Sequence, residues 1–444
     1  MALDDLASIR PPTAAARDLQ QRAHRAIPGG AHTYAKGDDQ FPRNAPPLLV
    51  RGEGARVWDS DGNEFVEYGG GLRAIVLGHG HPHVVEAVQK AIVDGTNFAR
   101  PSVLEVEAAE DLLAFLDRPD WMVKFTKNGS DANSSALRLA RAATGRELVA
   151  VCRDQPFFSV EDWFIGTTPM DAGIPAAVRD LTVAFPYDDL DALRVLLADR
   201  TVAAVVMEAA KYDDPSPGWF EGVRRLCDET GTVFVLDEMI TGVRWPGRTA
   251  MGHYGIQPDL ATYGKALGNG FSVSAVTGRR ELMELGGLHH DRPRVFLASY
   301  THGAESTGLA ACRAVTAVGM ENDIGAGIAA RGEALEARLN AVSRACGVDE
   351  HFFAWGPGQV LVFVTRDADG APSQVLRALA MQELVAGGVL GTSLVMSLAH
   401  GESEFDQTVA AWERAAAVYA RALEDGTAGL LRGHPTSPVW RRYN

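Results

Sequence analysis

The stretch from residue 202 to residue 240 constrains the fold more than any other part of this 444-residue chain. Two short, mostly apolar runs, VAAVVMEAA and TVFVLDEMI, are typical of strands buried on both faces of a parallel sheet. Between them, GWFEGVRRLCDETG carries apolar residues at helical spacing and ends at a glycine. A strand, a helix and a second strand in about 35 residues form a parallel crossover unit. The sequence therefore predicts an α/β fold in which helices flank a mostly parallel sheet.

The remaining segments predict one large domain and a smaller one. Residues 76–314 alternate helical and buried-strand patterns, and we expect them to form the large domain. Residues 1–75 include a hairpin signal, Asp61-Gly62 between β-prone runs. Residues 315–444 are rich in helical patterns with a few strands. We expect these two terminal parts, 1–75 and 315–444, to build a smaller α+β domain.

Charge and cysteine content exclude several classes of partner. The net charge is −15 and Lys and Arg form no runs, so neither nucleic acid nor an anionic membrane is an expected partner. The N-terminus is too acidic for a signal peptide, and no apolar run reaches the ~18 residues of a membrane span. Four widely spaced cysteines indicate neither a zinc site nor a disulfide scaffold. The same cysteine pattern suits a reducing compartment, so we expect a cytoplasmic protein. We expect no metal site, because the histidines of GHGHPH fit a turn before a helix.

A single lysine in an uncharged, glycine-punctuated stretch is the first candidate for chemistry. Lys265 stands in TYGKALGNGF, residues 262–271, with Gly268 and Gly270 close behind. An ordinary loop lysine beside a turn is the simpler interpretation. The alternative is an amine that performs covalent chemistry.

Two further motifs could bind a charged ligand. Gly129 and Ser130 precede a good helical pattern, where free backbone N–H groups favour a phosphate, although an ordinary helix cap explains the same residues. Asp237 and Glu238 end the strand run VFVLDE, and ligands bind beyond the carboxyl ends of parallel strands. A protonated ring nitrogen would suit a carboxylate there, although helix capping or a structural salt bridge is the alternative.

Taken together, these motifs meet the needs of pyridoxal 5′-phosphate. The cofactor requires an amine for its Schiff base, a carboxylate for its ring nitrogen, and N–H and hydroxyl groups for its phosphate. Lys265, Asp237 and the turn at Gly129 supply the first groups, and Thr301 in SYTHGAES supplies a hydroxyl. An aromatic face for the ring is available at Phe157 or Phe158 in PFFS.

The order and spacing of NGSDA, LDEMITG, YGKALGNG and SYTHGAES resemble those of the class III (fold type I) pyridoxal-phosphate aminotransferases. The resemblance runs from IPGGAHTY nearly to the C-terminus and is strongest to the branch that contains glutamate-1-semialdehyde aminomutase. It implies a fold type I PLP-transferase and a homodimer in which Thr301 reaches the neighbouring active site. The cofactor-binding positions that it implies are Gly129, Ser130, Phe157, Phe158, Glu208, Asp237, Met239, Lys265 and Thr301, with Lys265 and Asp237 catalytic.

Departures from the aminomutase pattern bear on the substrate. Lys36 stands near the place of the arginine that the aminomutase uses for its substrate carboxylate, and Leu72-Arg73 replaces a tryptophan-containing turn. With GLR and PFFS…DWFIG, the chain resembles aminotransferases of sugars and aminocyclitols in antibiotic biosynthesis. The residues expected to contact substrate are Tyr34, Lys36, Arg73 and Trp163. The alternatives are an intramolecular aminomutase or epimerase and a catalytically idle cofactor-binding partner. The expected reaction moves an amino group from glutamate or glutamine to a ketone or aldehyde.

Overall fold

The computed structural model describes residues 11–155, 159–210 and 212–443, which fall into two compact units. The first unit comprises the described parts of Met1–His81 and Gly327–Val439, and the second comprises Pro82–Ala326 with the tail from Trp440. The expected boundaries, after residues 75 and 314, fall short of the observed ones. The second boundary lies later in the chain than expected because the helix Ser306–Glu321 packs on the helices Pro82–Val93 and Val103–Phe115 of the second unit.

The strands in the described part of the chain belong to three sheets. In chain order they are β1 (Leu49–Glu53), β2 (Arg56–Asp59), β3 (Glu64–Glu67), β4 (Trp121–Thr126), β5 (Leu148–Cys152), β6 (Thr182–Phe185), β7 (Val202–Glu208), β8 (Val233–Glu238), β9 (Leu260–Tyr263), β10 (Ser274–Arg279), β11 (Phe352–Trp355), β12 (Val360–Thr365), β13 (Val389–Leu390) and β14 (Leu394–Val395).

The helices in the described part of the chain range from single turns to 24 residues. In chain order they are α1 (Ala14–Ala26), α2 (Gly70–Arg73), α3 (Pro82–Val93), α4 (Val103–Phe115), α5 (Gly129–Thr144), α6 (Asp162–Ile165), α7 (Ala176–Arg179), α8 (Leu190–Leu197), α9 (Trp219–Thr230), α10 (Ala250–His253), α11 (Arg280–Met283), α12 (Ser306–Glu321), α13 (Ile324–Ala345), α14 (Gln374–Ala386) and α15 (Glu402–Asp425). Short 3-10 turns lie at Pro28–Gly30, Tyr34–Lys36, Asp38–Gln40, Lys265–Gly268 and Glu284–Gly286.

The second unit is built on a seven-stranded sheet in the order β4-β10-β9-β8-β7-β5-β6. The neighbours from β9 to β6 pair in parallel, and β10 is antiparallel to both β9 and β4. The α/β fold and the crossover unit β7-α9-β8 are therefore confirmed. Strand β10 reverses direction because only residues 264–273 join it to β9, which is too short for a helical crossover. That connection is the glycine-punctuated stretch that contains Lys265.

The first unit contains the other two sheets. The predicted hairpin forms β2 and β3, which pair antiparallel, with β1 on one side and β13 parallel to β3 on the other. Strands β11, β12 and β14 form a three-stranded antiparallel sheet. Helices α14 and α15 pack on each other within this unit.

Pairing within the large sheet brings three strand ends together. Glu208 is the direct partner of Asp237, and Asp237 is the direct partner of Thr262. Because β7, β8 and β9 run parallel, their carboxyl ends meet at one edge, where ligands bind in open α/β sheets. The described helices include none that is long and apolar enough to cross a membrane.

Candidate active site

Two consecutive carboxylates at the end of β8 have different surroundings. Successive side chains of a strand point to opposite faces, so the side chains of Asp237 and Glu238 lie on opposite faces of the sheet. Glu238 is fully buried and accepts hydrogen bonds from the Thr241 hydroxyl and from the backbone N–H groups of Ala250 (3.1 Å) and Met251 (2.6 Å). Burial raises the pKa of Glu238 to about 7. The structural interpretation of this pair of carboxylates therefore holds for Glu238, which caps the start of α10.

Asp237 faces helix α5 instead and is only 2% exposed. Its Oδ2 accepts a hydrogen bond of 2.8 Å from the Asn133 side-chain amide, and its Oδ1 accepts one of 2.8 Å from the backbone N–H of Met239. The Thr262 hydroxyl lies 3.0 Å from the Asn133 amide oxygen. Donors to both oxygens favour the ionised carboxylate and counter the cost of its burial.

Glu208 occupies the neighbouring position on β7 and is 3% exposed. The backbone of Glu208 is held by one buried side chain: Gln155 donates to its carbonyl oxygen at 3.0 Å and accepts from its N–H at 2.9 Å. This double contact fixes the end of β7 next to the end of β8.

Lys265 begins the turn that follows β9. Its φ of 47° lies in the left-handed region, which non-glycine residues rarely adopt, and its side chain is half-buried. Residues held in this region cost about 1–3 kcal/mol and cluster at active sites. Lys265 is three residues past Thr262, so it lies beyond the same sheet edge as Asp237.

The amino end of α5 offers a site for an anion. Asn128 caps the helix by accepting from the N–H of Asp131 at 2.9 Å. Within the described residues, the N–H groups of Gly129 and Ser130 make no hydrogen bond, as expected for the first turn of a helix. The Ser130 hydroxyl accepts from the N–H of Val160 at 3.1 Å. Sixteen residues of aligned peptide dipoles add a positive field at this end.

Met239 is the residue that joins these elements. A Cβ on Gly129 would lie 3.0 Å from the Met239 sulfur, and a Cβ on Gly264 would lie 2.6 Å from it. Both glycines therefore let the thioether pack against the start of α5 and against the residue before Lys265. Met239 itself is 5% exposed.

Thr301 lies in the second unit, in the loop before α12, and is exposed. Its carbonyl oxygen accepts a hydrogen bond of 2.9 Å from the Asn97 side chain, which anchors the loop. Further along the loop, Glu305 caps α12 and accepts from Lys127 at 2.8 Å. Partial burial opposes ionisation of Glu305, but hydrogen bonds from Lys127 and Thr307 outweigh it and lower its pKa to about 2.

Three of the expected substrate residues lie in the first unit. Tyr34 and Lys36 are exposed on a 3-10 turn, and Arg73 is half-buried. An open cavity of about 1030 Å³ in this unit is lined by Lys36, Leu72 and other residues. The turn α2 is made of left-handed backbone, with φ of 66° at Leu72 and 69° at Arg73. Left-handed backbone is uncommon at non-glycine residues.

The remaining aromatic expectations have different outcomes. Trp163 is 6% exposed, belongs to the apolar core of the second unit, and donates from its indole N–H to Ser134 at 2.9 Å. Contact of Trp163 with substrate stays a prediction, and its burial in this core does not favour it. Phe157 and Phe158 lie outside the described residues.

Sequence reasoning missed Asn133, Thr262 and Gln155, all of which are buried and polar. Asn133 lies one helical turn before Ala136 and Leu137, so an amide in line with apolar positions of a predicted helix was the available signal. Buried polar groups need hydrogen-bond partners, so a buried amide at this position implies polar groups at the neighbouring strand ends.

Comparison with known proteins agrees with this architecture. The aminotransferase class-III family model matches residues 35–350, which is more than half of the chain. The chain belongs to the class III aminotransferases. Family members use pyridoxal 5′-phosphate, the cofactor expected from the sequence.

Curated relatives of this class III aminotransferase include two glutamate-1-semialdehyde 2,1-aminomutases. The one from Gemmatimonas aurantiaca is 35% identical over 286 residues, which are 62% of this chain and 65% of the relative. The one from Methanothrix thermoacetophila is 35% identical over 281 residues, 60% of this chain and 64% of the relative. Each match therefore spans less than two thirds of the relative's length.

Solved structures extend the comparison to nearly the whole chain. The FumI protein of Sphingopyxis sp. MTA144, in its PLP internal aldimine form, has a TM-score of 0.82 at 26% identity, covering 95% of this chain and 98% of that one. An omega-transaminase from Sphaerobacter thermophilus has a TM-score of 0.81 at 27% identity, covering 92% and 98%. The fold type I PLP-transferase architecture is thereby confirmed.

Proposed function

We propose that this class III aminotransferase moves an amino group from an amino acid to a carbonyl acceptor, with Lys265 and Asp237 as its catalytic residues. One observation supports this more than any other. The buried Asp237 carboxylate, held by donors on both oxygens, lies at the same sheet edge as the strained Lys265. A buried carboxylate and an amine beyond one strand end are what pyridoxal phosphate requires of a protein.

The described residues fit the cofactor. Among the described residues no group accepts from the N–H groups of Gly129 and Ser130, and these would receive its phosphate at the positive end of α5. Asp237 would face the ring nitrogen, and Met239, packed against Gly129 and Gly264, would lie under the ring. Glu208, at the end of the neighbouring strand β7, is the direct pairing partner of Asp237.

Each catalytic residue then has a distinct task. The bound cofactor supplies an electron-accepting ring that stabilises negative charge on the donor's α-carbon. The negative charge of Asp237 keeps a proton on the ring nitrogen, and its fixed position makes that interaction preorganised. Lys265, the point of covalent attachment, moves the proton to and from the donor's α-carbon once its amine is released.

Borohydride labelling tests this assignment directly. Reduction of the holoenzyme should fix the cofactor on Lys265, and peptide mapping should identify that residue. A label mapped to any other lysine would refute the assignment. Lys265→Ala should bind the cofactor without covalent attachment, and this distinguishes loss of the amine from loss of the fold.

We further propose that the active unit is a homodimer in which Thr301 binds the neighbour's phosphate. The proposal is supported by the exposure of Thr301 and by the anchoring of its backbone to Asn97. Mixing Lys265→Ala with Thr301→Ala subunits tests it. If Thr301 acts across the interface, hybrid dimers contain one complete site each, and a random mixture regains about a quarter of wild-type activity. If Thr301 acts within its own subunit, the mixture stays inactive.

For the substrates, we propose glutamate or glutamine as the donor and a keto- or aldehydo-sugar or aminocyclitol as the acceptor. Arg73 would hold the donor carboxylate through a two-pronged hydrogen bond that Lys36 could not make. Arg73→Ala should therefore raise the donor KM about 10- to 100-fold and change the acceptor KM little. Equal effects on both KM values would argue against this role.

An intramolecular aminomutase is the second candidate, because both curated relatives named above are glutamate-1-semialdehyde aminomutases. Spectra of the bound cofactor, followed one half-reaction at a time, separate the two. Amino transfer predicts that glutamate or glutamine converts the cofactor to its amine form and that amino-sugar ketones or aldehydes convert it back. Efficient turnover of glutamate-1-semialdehyde, with no response to oxidised amino sugars, would favour the aminomutase.

A further inference from the structure

A chain of three buried side chains connects strand β9 to the Asp237 carboxylate. Asn133 and Thr262 are both 0% exposed. The Asn133 amide nitrogen lies 2.8 Å from Asp237 Oδ2, and the Asn133 amide oxygen lies 3.0 Å from the Thr262 hydroxyl. The three residues come from α5, β8 and β9, so no local sequence motif contains them.

The direction of each hydrogen bond follows from the chemistry of the groups. An ionised carboxylate has no proton to give, so the Asn133 NH2 group must face Asp237. The Asn133 oxygen then faces Thr262, and the hydroxyl must donate to it. If the amide turned over, its oxygen would face a carboxylate oxygen, and two acceptors would oppose each other. The carboxylate therefore fixes which end of the Asn133 amide meets it, and the Thr262 hydroxyl holds the amide in place by donating to its oxygen.

We propose that Asn133 and Thr262 are positioning residues that keep the Asp237 carboxylate ionised and oriented for the cofactor's ring nitrogen. The inference rests on the proposed role of Asp237. A hydrogen bond donated to a carboxylate favours its charged form, so loss of the Asn133 donor makes Asp237 more basic. The ring nitrogen then competes for its proton with a stronger base that is also less firmly oriented. The positive charge on the ring nitrogen then decreases, and the ring accepts electrons less readily.

Three variants test the chain of contacts. Asn133→Leu removes the donor, and we expect kcat to fall about 10- to 100-fold, the size of one lost hydrogen bond to a charged group. Thr262→Val removes the hydroxyl at nearly constant volume, and we expect a smaller decrease in kcat of about 3- to 10-fold. Thr262→Ser keeps the hydroxyl and should restore most of the activity that Thr262→Val loses. Donor KM should change little in all three.

The decisive measurement is the charge on the ring nitrogen. Holoenzyme loaded with ¹⁵N-labelled pyridoxal phosphate reports that charge through the nitrogen chemical shift. We expect the shift to move toward the neutral form in Asn133→Leu and Thr262→Val and to return in Thr262→Ser. In the double variant, loss of the Thr262 hydroxyl should add nothing to the effect of Asn133→Leu, because the hydroxyl acts through the amide.

A matched control separates positioning from general loss of a buried hydroxyl. Thr277 is also 0% exposed, lies on the adjacent strand β10, and donates to the carbonyl oxygen of Ala261 at 3.2 Å. Thr277→Val should leave the nitrogen shift and kcat unchanged, whatever it does to the melting temperature. If Thr277→Val moves the nitrogen shift as far as Thr262→Val does, the positioning role is wrong.

The outcomes also separate this inference from the proposed function. If borohydride attaches no cofactor to Lys265 in the wild-type protein, the proposed function fails. If the wild-type protein is labelled and Asn133→Leu keeps both kcat and a charged ring nitrogen, only the positioning role is overturned. Should Asn133→Leu fail to fold, the comparison of Thr262→Val with Thr262→Ser gives the same decision.

Discussion

Replacing Asp237 with asparagine changes one atom and removes one charge, which makes it the sharpest test of the proposed chemistry. Two donors converge on the carboxylate, the Asn133 amide at Oδ2 and the Met239 N–H at Oδ1, each at 2.8 Å. An asparagine has one acceptor oxygen. In either orientation of the new amide, one of these donors therefore faces an NH2 group.

Two opposing effects set the stability of Asp237→Asn. A donor left without its acceptor costs about 1–3 kcal/mol. Removing a charge that is only 2% exposed recovers a desolvation penalty that is at least as large. We therefore expect the free energy of unfolding of the apoprotein to change by less than about 2 kcal/mol. Catalysis has no such offset, and loss of one preorganised electrostatic contact should lower kcat at least ~100-fold.

The neighbouring carboxylate provides the matched control. Glu238 is equally buried but faces away from Asp237 and accepts from Thr241, Ala250 and Met251. Glu238→Gln should likewise change the free energy of unfolding by less than about 2 kcal/mol, because removal of the buried charge offsets the donor that loses its acceptor, while kcat stays close to wild type. Steady-state kinetics and thermal unfolding of both variants provide the comparison. Near-normal turnover of Asp237→Asn, or a kcat loss in Glu238→Gln as large as that in Asp237→Asn, would refute the division of roles.

Three further outcomes are expected. Gly264→Ala places a Cβ 2.4 Å from the Ser274 hydroxyl and 2.6 Å from the Met239 sulfur, so equilibrium dialysis should show weaker retention of the cofactor. Lys265→Ala should lower turnover by several orders of magnitude in stopped assays, because the base and the attachment point are lost together. Burial lowers the pKa of His400 to about 4, so the folded protein stays neutral there while the unfolded chain gains a proton below about pH 6.5. The free energy of unfolding should then fall by up to about 3 kcal/mol as pH drops from 6.5 to 4, and chemical denaturation of His400→Asn should show a shallower decrease.

The sequence predicted the parts of the site that depend on local chain properties. The crossover unit β7-α9-β8 follows from apolar runs and helical spacing, and Asp237 comes at its end. Asn128 and Gly129 indicate a helix start, and α5 begins there. The left-handed turn at Lys265 falls among glycines, where strained backbone is expected.

The partners of those residues could not be predicted from local properties. Asn133 lies 104 residues before Asp237, and 129 residues separate Thr262 from Asn133. Their contacts depend on strand order and on the pairing register that sets Thr262 opposite Asp237. A shift of one residue along β9 would turn the hydroxyl to the other face of the sheet. Long-range register is a property of the folded sheet, and spacing along the chain does not encode it directly.

Residues that meet the substrate obey different constraints from those that meet the cofactor. Pyridoxal phosphate requires an amine, a carboxylate and phosphate-binding groups, and Lys265, Asp237 and Gly129 lie at or just beyond the ends of strands β9, β8 and β4. Arg73 instead lies on left-handed backbone in the first unit, next to Leu72 with the same unusual φ. Backbone strain of this kind persists only where the surrounding structure imposes it, and it sets the direction in which a side chain leaves the chain. A fixed direction is what a carboxylate clamp needs, because two parallel hydrogen bonds tolerate little rotation. The strained turn therefore supports Arg73, more than the exposed Lys36, as the residue that selects the donor.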